Sequence, residues 1–323
     1  MKILVCGGAG YIGSHMVRYL LAHGHHVVVF DNLSTGHALA VGKARLVVGD
    51  LRDRQALRRL YLQRYDAVIH FCAHSIVPHS VADPYAYYEN NVAGTLSLLQ
   101  AMREAGVAKM VFSSTAAVFG HPSSPLLDEH HPTVPINPYG ASKLMVEGVL
   151  ADASRAYGLR SVALRYFNAA GADPSGDIGE SHQPETHLIP NILRAGLGQG
   201  GRLKIFGNDY DTRDGTCVRD YIHVNDLARA HLKAVEFLHD HEGAHVFNLG
   251  NGKGFTVREV IDAARAVTGV NIPYEYAPRR AGDPAVLIAS SNKAREFLDW
   301  VPAVTDIGDI VETAWRWHRA AKY

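Results

Sequence analysis

At 323 residues the chain exceeds one small domain and is long enough to bury a full hydrophobic core. Its 32 basic and 32 acidic side chains cancel to a formal net charge of zero, which argues against affinity built on a basic face for nucleic acid or an anionic membrane. With 47% hydrophobic and 20% charged residues it has the composition of a soluble globular protein. Cys6, Cys72 and Cys217 lie far apart, match neither a metal-ligand spacing nor a disulfide framework, and are read as buried thiols. The opening run Met1–Cys6 stops at glycines before a signal-peptide core could form, so a cytoplasmic protein is expected. The 19 histidines lack the His-Glu-x-x-His pattern of a zinc enzyme, and no metal site is assigned.

The first half alternates apolar runs with amphipathic stretches, the pattern of a parallel sheet covered by helices. Ile3 to Cys6, Val27 to Phe30, Leu46 to Val48, Ala67 to Phe71, Met110 to Ser113 and Val162 to Leu164 read as short buried strands. Tyr11 to Ala22 and Glu89 to Ala105 read as helices between them. Asn137-Pro138 supplies a cap and a first-turn proline for a third helix. After about residue 170 the glycine-rich segment 171–177 opens a less regular texture. The expected organisation is a doubly wound Rossmann-type α/β domain over 1–170, with later returning segments possible, and a smaller α/β lobe over 171–323. In that lobe Thr256-x-x-Glu259 has capping-box spacing before an apolar-periodic helix.

Gly7, Gly10 and Gly13 follow the first strand and open the first helix, where a backbone without Cβ atoms lets a pyrophosphate approach the helix N-terminus. Asp31 ends the second strand, 18 residues after Gly13, where a carboxylate accepts from an adenosine ribose and repels a 2′-phosphate. NAD is therefore favoured over NADP, the rival role for Asp31 being a turn cap with Asn32. Asp50 reads either as an adenine-edge contact or as a turn residue.

Tyr139 and Lys143 are four residues apart at the start of the Asn137 helix, so they share a face. A phenol is too weakly acidic to serve as an efficient base near neutral pH, and a neighbouring cation favours its anion. At roughly 4 Å and an effective dielectric of about 20, one such charge contributes on the order of 4 kcal/mol before desolvation opposes it. Thr115, at the end of the fifth strand, adds a hydroxyl at the sheet edge where ligands bind. A surface Tyr-x-x-x-Lys pair and a strand-end cap are the ordinary roles of these same residues.

The combination resembles the extended short-chain dehydrogenase/reductase family and, within it, the UDP-glucose 4-epimerases, over nearly the whole chain. Beyond the segments above, Tyr88-Glu89-Asn90-Asn91-Val92 and Arg165-Tyr166-Phe167-Asn168 carry it, as do segments 174–177, 205–210, 218–224 and 277–283. The resemblance implies an NAD-dependent isomerase in which Tyr139 takes the C4 hydroxyl proton, Lys143 lowers the phenol pKa and Thr115 bridges the oxygen. Galactose metabolism in a homodimer is the implied setting, with 89–105 and 139–156 as candidate interface helices or intrachain core. It implies cofactor contacts from Gly7, Gly10, Tyr11, Ile12 and Gly13, from Asp31, Asn32, Leu33, Ser34, Thr35 and Gly36, and from Asp50, Leu51, Phe71, Ser75, Asn90 and Phe167, beside the catalytic three. For a UDP-sugar it implies Arg219 and Arg280 on the diphosphate, guanidinium forks suiting phosphate oxygens. Asn168, His187, Leu188, Lys204, Ile205, Phe206, Tyr221, Asp283 and Leu287 would contact the uridine and sugar, with a core role equally open to Leu188 and Phe206.

Four positions depart from the best-known bacterial pattern: Thr115 for serine, Ser75 for lysine, His187 for asparagine, and Leu287 where tyrosine marks enzymes confined to glucose and galactose forms. Related dehydratases and decarboxylases place an acid just after the hydroxyl, whereas this chain has Ala116 and Ala117, which cannot act as acid or base. Alternative readings are a 4-epimerase of N-acetylated, pentose or uronic UDP-sugars and a non-catalytic NAD-sensing module.

Overall fold

The computed structural model describes residues 1–61, 63–199, 201–280 and 283–323. Seven strands form one sheet: β1 (Lys2–Cys6), β2 (His26–Asp31), β3 (Arg45–Val48), β4 (Ala67–His70), β5 (Lys109–Thr115), β6 (Arg160–Tyr166) and β7 (Ala244–Leu249). Their spatial order is β7-β6-β5-β4-β1-β2-β3, every pairing parallel. Ile3, Leu4, Val5 and Cys6 are fully buried, as expected of a parallel strand covered on both faces. The strand order switches from one side of β1 to the other between β3 and β4, and the crevice that such sheets use for ligands opens between β1 and β4.

The six expected strands form, extended by a residue or two at most ends. The seventh, β7, had not been read from the sequence, because His245–Leu249 sits among segments of the second lobe and its partner β6 lies about 80 residues upstream. With it, helix Val224–Asp240 returns to pack on helix Tyr11–Ala22 and share the first core. The chain beyond residue 170 thus adds a strand to the seven-stranded sheet as well as strands to the smaller sheet. The expected helix from Glu89 to Ala105 divides into a π-helical stretch, Tyr88–Ala93, and the α-helix Gly94–Glu104.

The second lobe holds a four-stranded sheet of Phe255–Thr256, Val218–Arg219, Val286–Ala289 and Leu126–Leu127. Its own core lies between helices Leu188–Gly196, Val257–Thr268 and Ile307–Arg319. Leu126–Leu127 comes from the first half of the chain and pairs with Ile288–Ala289, a cross-lobe tie. The capping box forms, Thr256 Oγ1 accepting from Glu259 N while Glu259 accepts from Thr256 N.

Candidate active site

The carboxyl ends of β1, β2, β4, β5 and β6 face the second lobe across a cleft of about 1000 Å³. At its floor Gly7 has φ +80°, and a Cβ there would stand 2.8 Å from Cys72 N. A Cβ on Gly13 would stand 2.0 Å from Gly7 O, so the helix can start this close to the strand only with glycine. Gly10 caps helix Tyr11–Ala22 without a side-chain hydrogen bond, and no acidic residue occupies its first turn. The first-turn amides therefore remain available to an anion. Asp31 Oδ2 accepts from Ala9 N at 2.9 Å and Oδ1 from Leu33 N at 2.8 Å. One buried carboxylate thus caps its own turn, braces the glycine loop and lines the cleft. Beside it Asn32 donates to Asp50 at 2.9 Å, and Arg52 hydrogen bonds hold the Asp50 carboxyl below the usual range.

On the opposite wall, helix Pro138–Tyr157 starts where Asn137 Oδ1 accepts from Gly140 N at 2.8 Å, which fixes Tyr139 in the first turn. Lys143, one turn later, is 2% exposed. Its Nζ donates to Ser113 O at 2.7 Å and lies 5.9 Å from the Tyr139 ring centroid. Burial raises the Tyr139 phenol to about 12, with hydrogen bonding to Thr115 pulling the other way. Burial also brings the Lys143 amine down to about 7. The expected lowering of the phenol by the lysine is not seen here: burial dominates, Thr115 supplies the opposing pull, and the ammonium is drawn to a backbone carbonyl. One turn further, Glu147 pairs with Arg165 of β6, both side chains 7% exposed, and accepts from Ser114.

Most residues singled out from the sequence meet in this cleft: Gly7, Gly10, Tyr11, Ile12, Gly13, Asp31, Asn32, Ser34, Thr35, Asp50, Leu51, Phe71, Ser75, Asn90, Thr115, Tyr139, Lys143, Phe167, Asn168, His187, Arg219, Arg280, Asp283 and Leu287. Leu33, Gly36, Leu188, Lys204, Ile205, Phe206 and Tyr221 are not on that wall. Ile205 and Tyr221 are core residues at 1% and 4% exposure, and Leu188 packs against the same core. Phe206 acts from behind, the Arg280 guanidinium sitting 3.9 Å from its ring centroid. Leu33 (φ 58°) and Gly36, set against Ala9, shape the loop after β2. Ala281 and Gly282 lie outside the described residues. Arg219 is held by Asp283 and donates to Val218 O at 2.7 Å. The cleft also includes Glu180, His182 and Glu185, which the sequence reading passed over although Glu-x-His occurs twice in eight residues.

A model of the NAD dependent epimerase/dehydratase family matches residues 3–250. The chain belongs to this family. It is 55% identical over 320 residues to the UDP-glucose 4-epimerase of Halalkalibacterium halodurans, covering 99% of this chain and 96% of that protein. A solved UDP-glucose 4-epimerase from Brucella ovis in complex with NAD is 48% identical, with a TM-score of 0.95 over 97% of each chain. That from Bifidobacterium longum in complex with NAD+ and UDP is 39% identical, with a TM-score of 0.94 over 99% of each chain. The glycine loop, its uncapped helix start and Asp31 fit the dinucleotide on which the family depends.

Proposed function

We propose that this chain interconverts UDP-galactose and UDP-glucose by reversible oxidation at sugar C4, with NAD held in the cleft. The observation that carries the reading is the convergence of Tyr139, Thr115 and Lys143 on one wall, facing the glycine loop and flanked by Arg219 and Arg280. Incubation of the purified protein with UDP-galactose, followed by analysis of the sugar, tests it. UDP-glucose without net redox change is the expected product; a 4-keto-6-deoxy sugar or no conversion overturns it.

NAD, when bound, supplies the acceptor and later the donor of the C4 hydride. Tyr139 takes the proton from the C4 hydroxyl and returns it, and Thr115 holds the sugar oxygen in reach of the phenol. Lys143 adds positive charge 5.9 Å from the Tyr139 ring centroid, and its bond to Ser113 O keeps that charge in place. Arg219 and Arg280 hold the diphosphate while the 4-keto sugar turns over, so that its opposite face is presented. No acid follows Thr115, which favours epimerisation over elimination. Leu287, in register with Arg219 and on the cleft wall, limits the sugar pocket with a side chain smaller than tyrosine. That supports acceptance of N-acetylated UDP-sugars alongside the two hexose forms.

We infer a homodimer formed through helices Val77–Ala82, Gly94–Glu104 and Pro138–Tyr157, where Val81, Leu96 and Met145 are 65%, 41% and 50% exposed. Light scattering at twice the chain mass supports this, and a monomer at assay concentration refutes it. A cytoplasmic setting is supported by three free thiols; among the described residues no helix is long and apolar enough to cross a membrane.

A further inference from the structure

The segment between the large sheet and helix Leu188–Gly196 repeats one pattern, Glu180-x-His182 and Glu185-x-His187. The Glu180 and Glu185 side chains are only 5% and 3% exposed, and among the described residues neither has an arginine or lysine partner. Their partners are the imidazoles: His182 Nδ1 contacts Glu180 Oε1, and His187 Nδ1 lies 2.8 Å from Glu185 Oε1. Backbone amides add to these contacts, His182 N donating to Glu180 at 3.1 Å and Thr186 N and His187 N to Glu185 at 2.8 Å, so both carboxylates are fixed in place.

The donors are placed to meet a metal. One ligand atom each from Glu180, His182 and His187 lies within 4.8 Å of the others. His187 engages Glu185 through Nδ1, which leaves Nε2 for another ligand, the arrangement in which a carboxylate orients a metal-binding imidazole. Behind the group, His318 of helix Ile307–Arg319 buries Nε2 with no hydrogen-bond partner among the described residues. It lines, with Glu180 and His187, a cavity of about 10 Å³, close to the space one water requires. The three donors also line the main cleft.

We propose that Glu180, His182 and His187 bind one divalent transition-metal ion, with Glu185 orienting His187. Two histidines and a carboxylate suit zinc, and three protein ligands leave its fourth position open. Because His187 is also the N-cap of helix Leu188–Gly196, the ion pins the segment that joins the lobes. Helical motif spacing misses the group because a loop builds it.

The full chain, dialysed against a chelator, is titrated with Co²⁺ and then Zn²⁺. One equivalent of Co²⁺ with visible ligand-field absorption, displaced by Zn²⁺, is the expected result. His182→Ala abolishes the absorption, and Glu185→Gln weakens binding by roughly 10–100-fold. Circular dichroism of the metal-free variants confirms that each is folded. Absence of Co²⁺ binding to the wild-type chain overturns the proposal and leaves doubly protonated imidazoles as the compensating charge. So does absorption that persists in both variants or carries thiolate charge transfer. The metal readout is independent of epimerisation, so this result and that of the sugar assay are distinguishable.

Discussion

Lys143 is anchored to Ser113: its Nζ donates to that carbonyl at 2.7 Å, and the ammonium is thereby held 5.9 Å from the Tyr139 ring centroid. The lysine thus acts on the phenol as a fixed charge in a buried site. Desolvation works against both groups, raising the phenol to about 12 and lowering the amine to about 7. Burial therefore keeps the proton on Tyr139 near neutral pH unless further positive charge is brought beside it.

Replacing Tyr139 with phenylalanine removes the proposed proton carrier and little else, since Tyr139 is part of a wall already shaped by the Asn137 cap. kcat for UDP-galactose conversion is expected to fall by roughly 10²–10⁴-fold, with KM and melting temperature close to wild type. Full-speed conversion by Tyr139→Phe would remove the phenol from the mechanism.

Lys143→Met separates catalysis from stability. A basic group whose pKa falls on folding makes the unfolded chain bind more protons between the two pKa values, so stability rises with pH through that window. For Lys143 the window runs from about 7 to the ordinary lysine value of 10.5. The wild type should gain stability relative to Lys143→Met across it, on the order of a few kcal/mol, while the variant is inactive throughout. Urea unfolding at several pH values measures this, and parallel pH curves for the two proteins would refute it.

Much of this site was legible because local chemistry dictates it: the glycine spacing, Asp31 at a strand end, and the Asn137-Pro138 start that puts Tyr139 and Lys143 on one face. What escaped depends on contacts between distant segments. Strand β7 is defined by its pairing with β6, and Ser113 O as the anchor of Lys143 is a backbone atom with no sequence signature. Residues 204–206 and Tyr221 were placed by resemblance; strand alternation and packing put Ile205 and Tyr221 in the core, leaving Phe206 to support Arg280 from behind.

Glu147→Gln tests the support behind helix Pro138–Tyr157. Glu147 accepts from Arg165 Nε at 2.9 Å and Nη2 at 2.5 Å, and also from Ser114, in a buried site. Breaking a buried pair from one side leaves the other charge uncompensated, at a cost of about 3–5 kcal/mol. Arg165 Nη1 is already without a partner, so few alternatives remain to it. Chemical denaturation should show this loss, and an unchanged midpoint would mean that the pair is dispensable.

Arg280→Ala should act on binding more than on chemistry. Its guanidinium sits over the Phe206 ring and lines the cleft, where the proposed role is to hold the diphosphate and not the C4 oxygen. KM for UDP-galactose is expected to rise by roughly tenfold or more, a loss of about 1.4 kcal/mol or more, with kcat changed far less. A variant that loses kcat at unchanged KM would place Arg280 in the chemical step.

Asp220 shows how the lobes are tied beneath the cleft. Its fully buried carboxylate accepts from Asn251 N at 2.7 Å through Oδ1, and from Gly252 N at 3.0 Å and Ala289 N at 3.1 Å through Oδ2. Burial raises its pKa to about 6 against the pull of those three donors. A carboxyl raised on folding binds its proton more tightly in the native state, so its contribution is present below the ordinary value of 3.8 and lost as pH rises through 6. Asp220→Asn abolishes that titration but sets an amide N–H₂ against backbone donors, costing about 1–3 kcal/mol at neutral pH. Relative to Asp220→Asn, the wild type should therefore lose part of its advantage between pH 4 and 6. Melting curves across that range settle the sign, and a wild-type advantage that grows with pH would show the three amides outweighing burial.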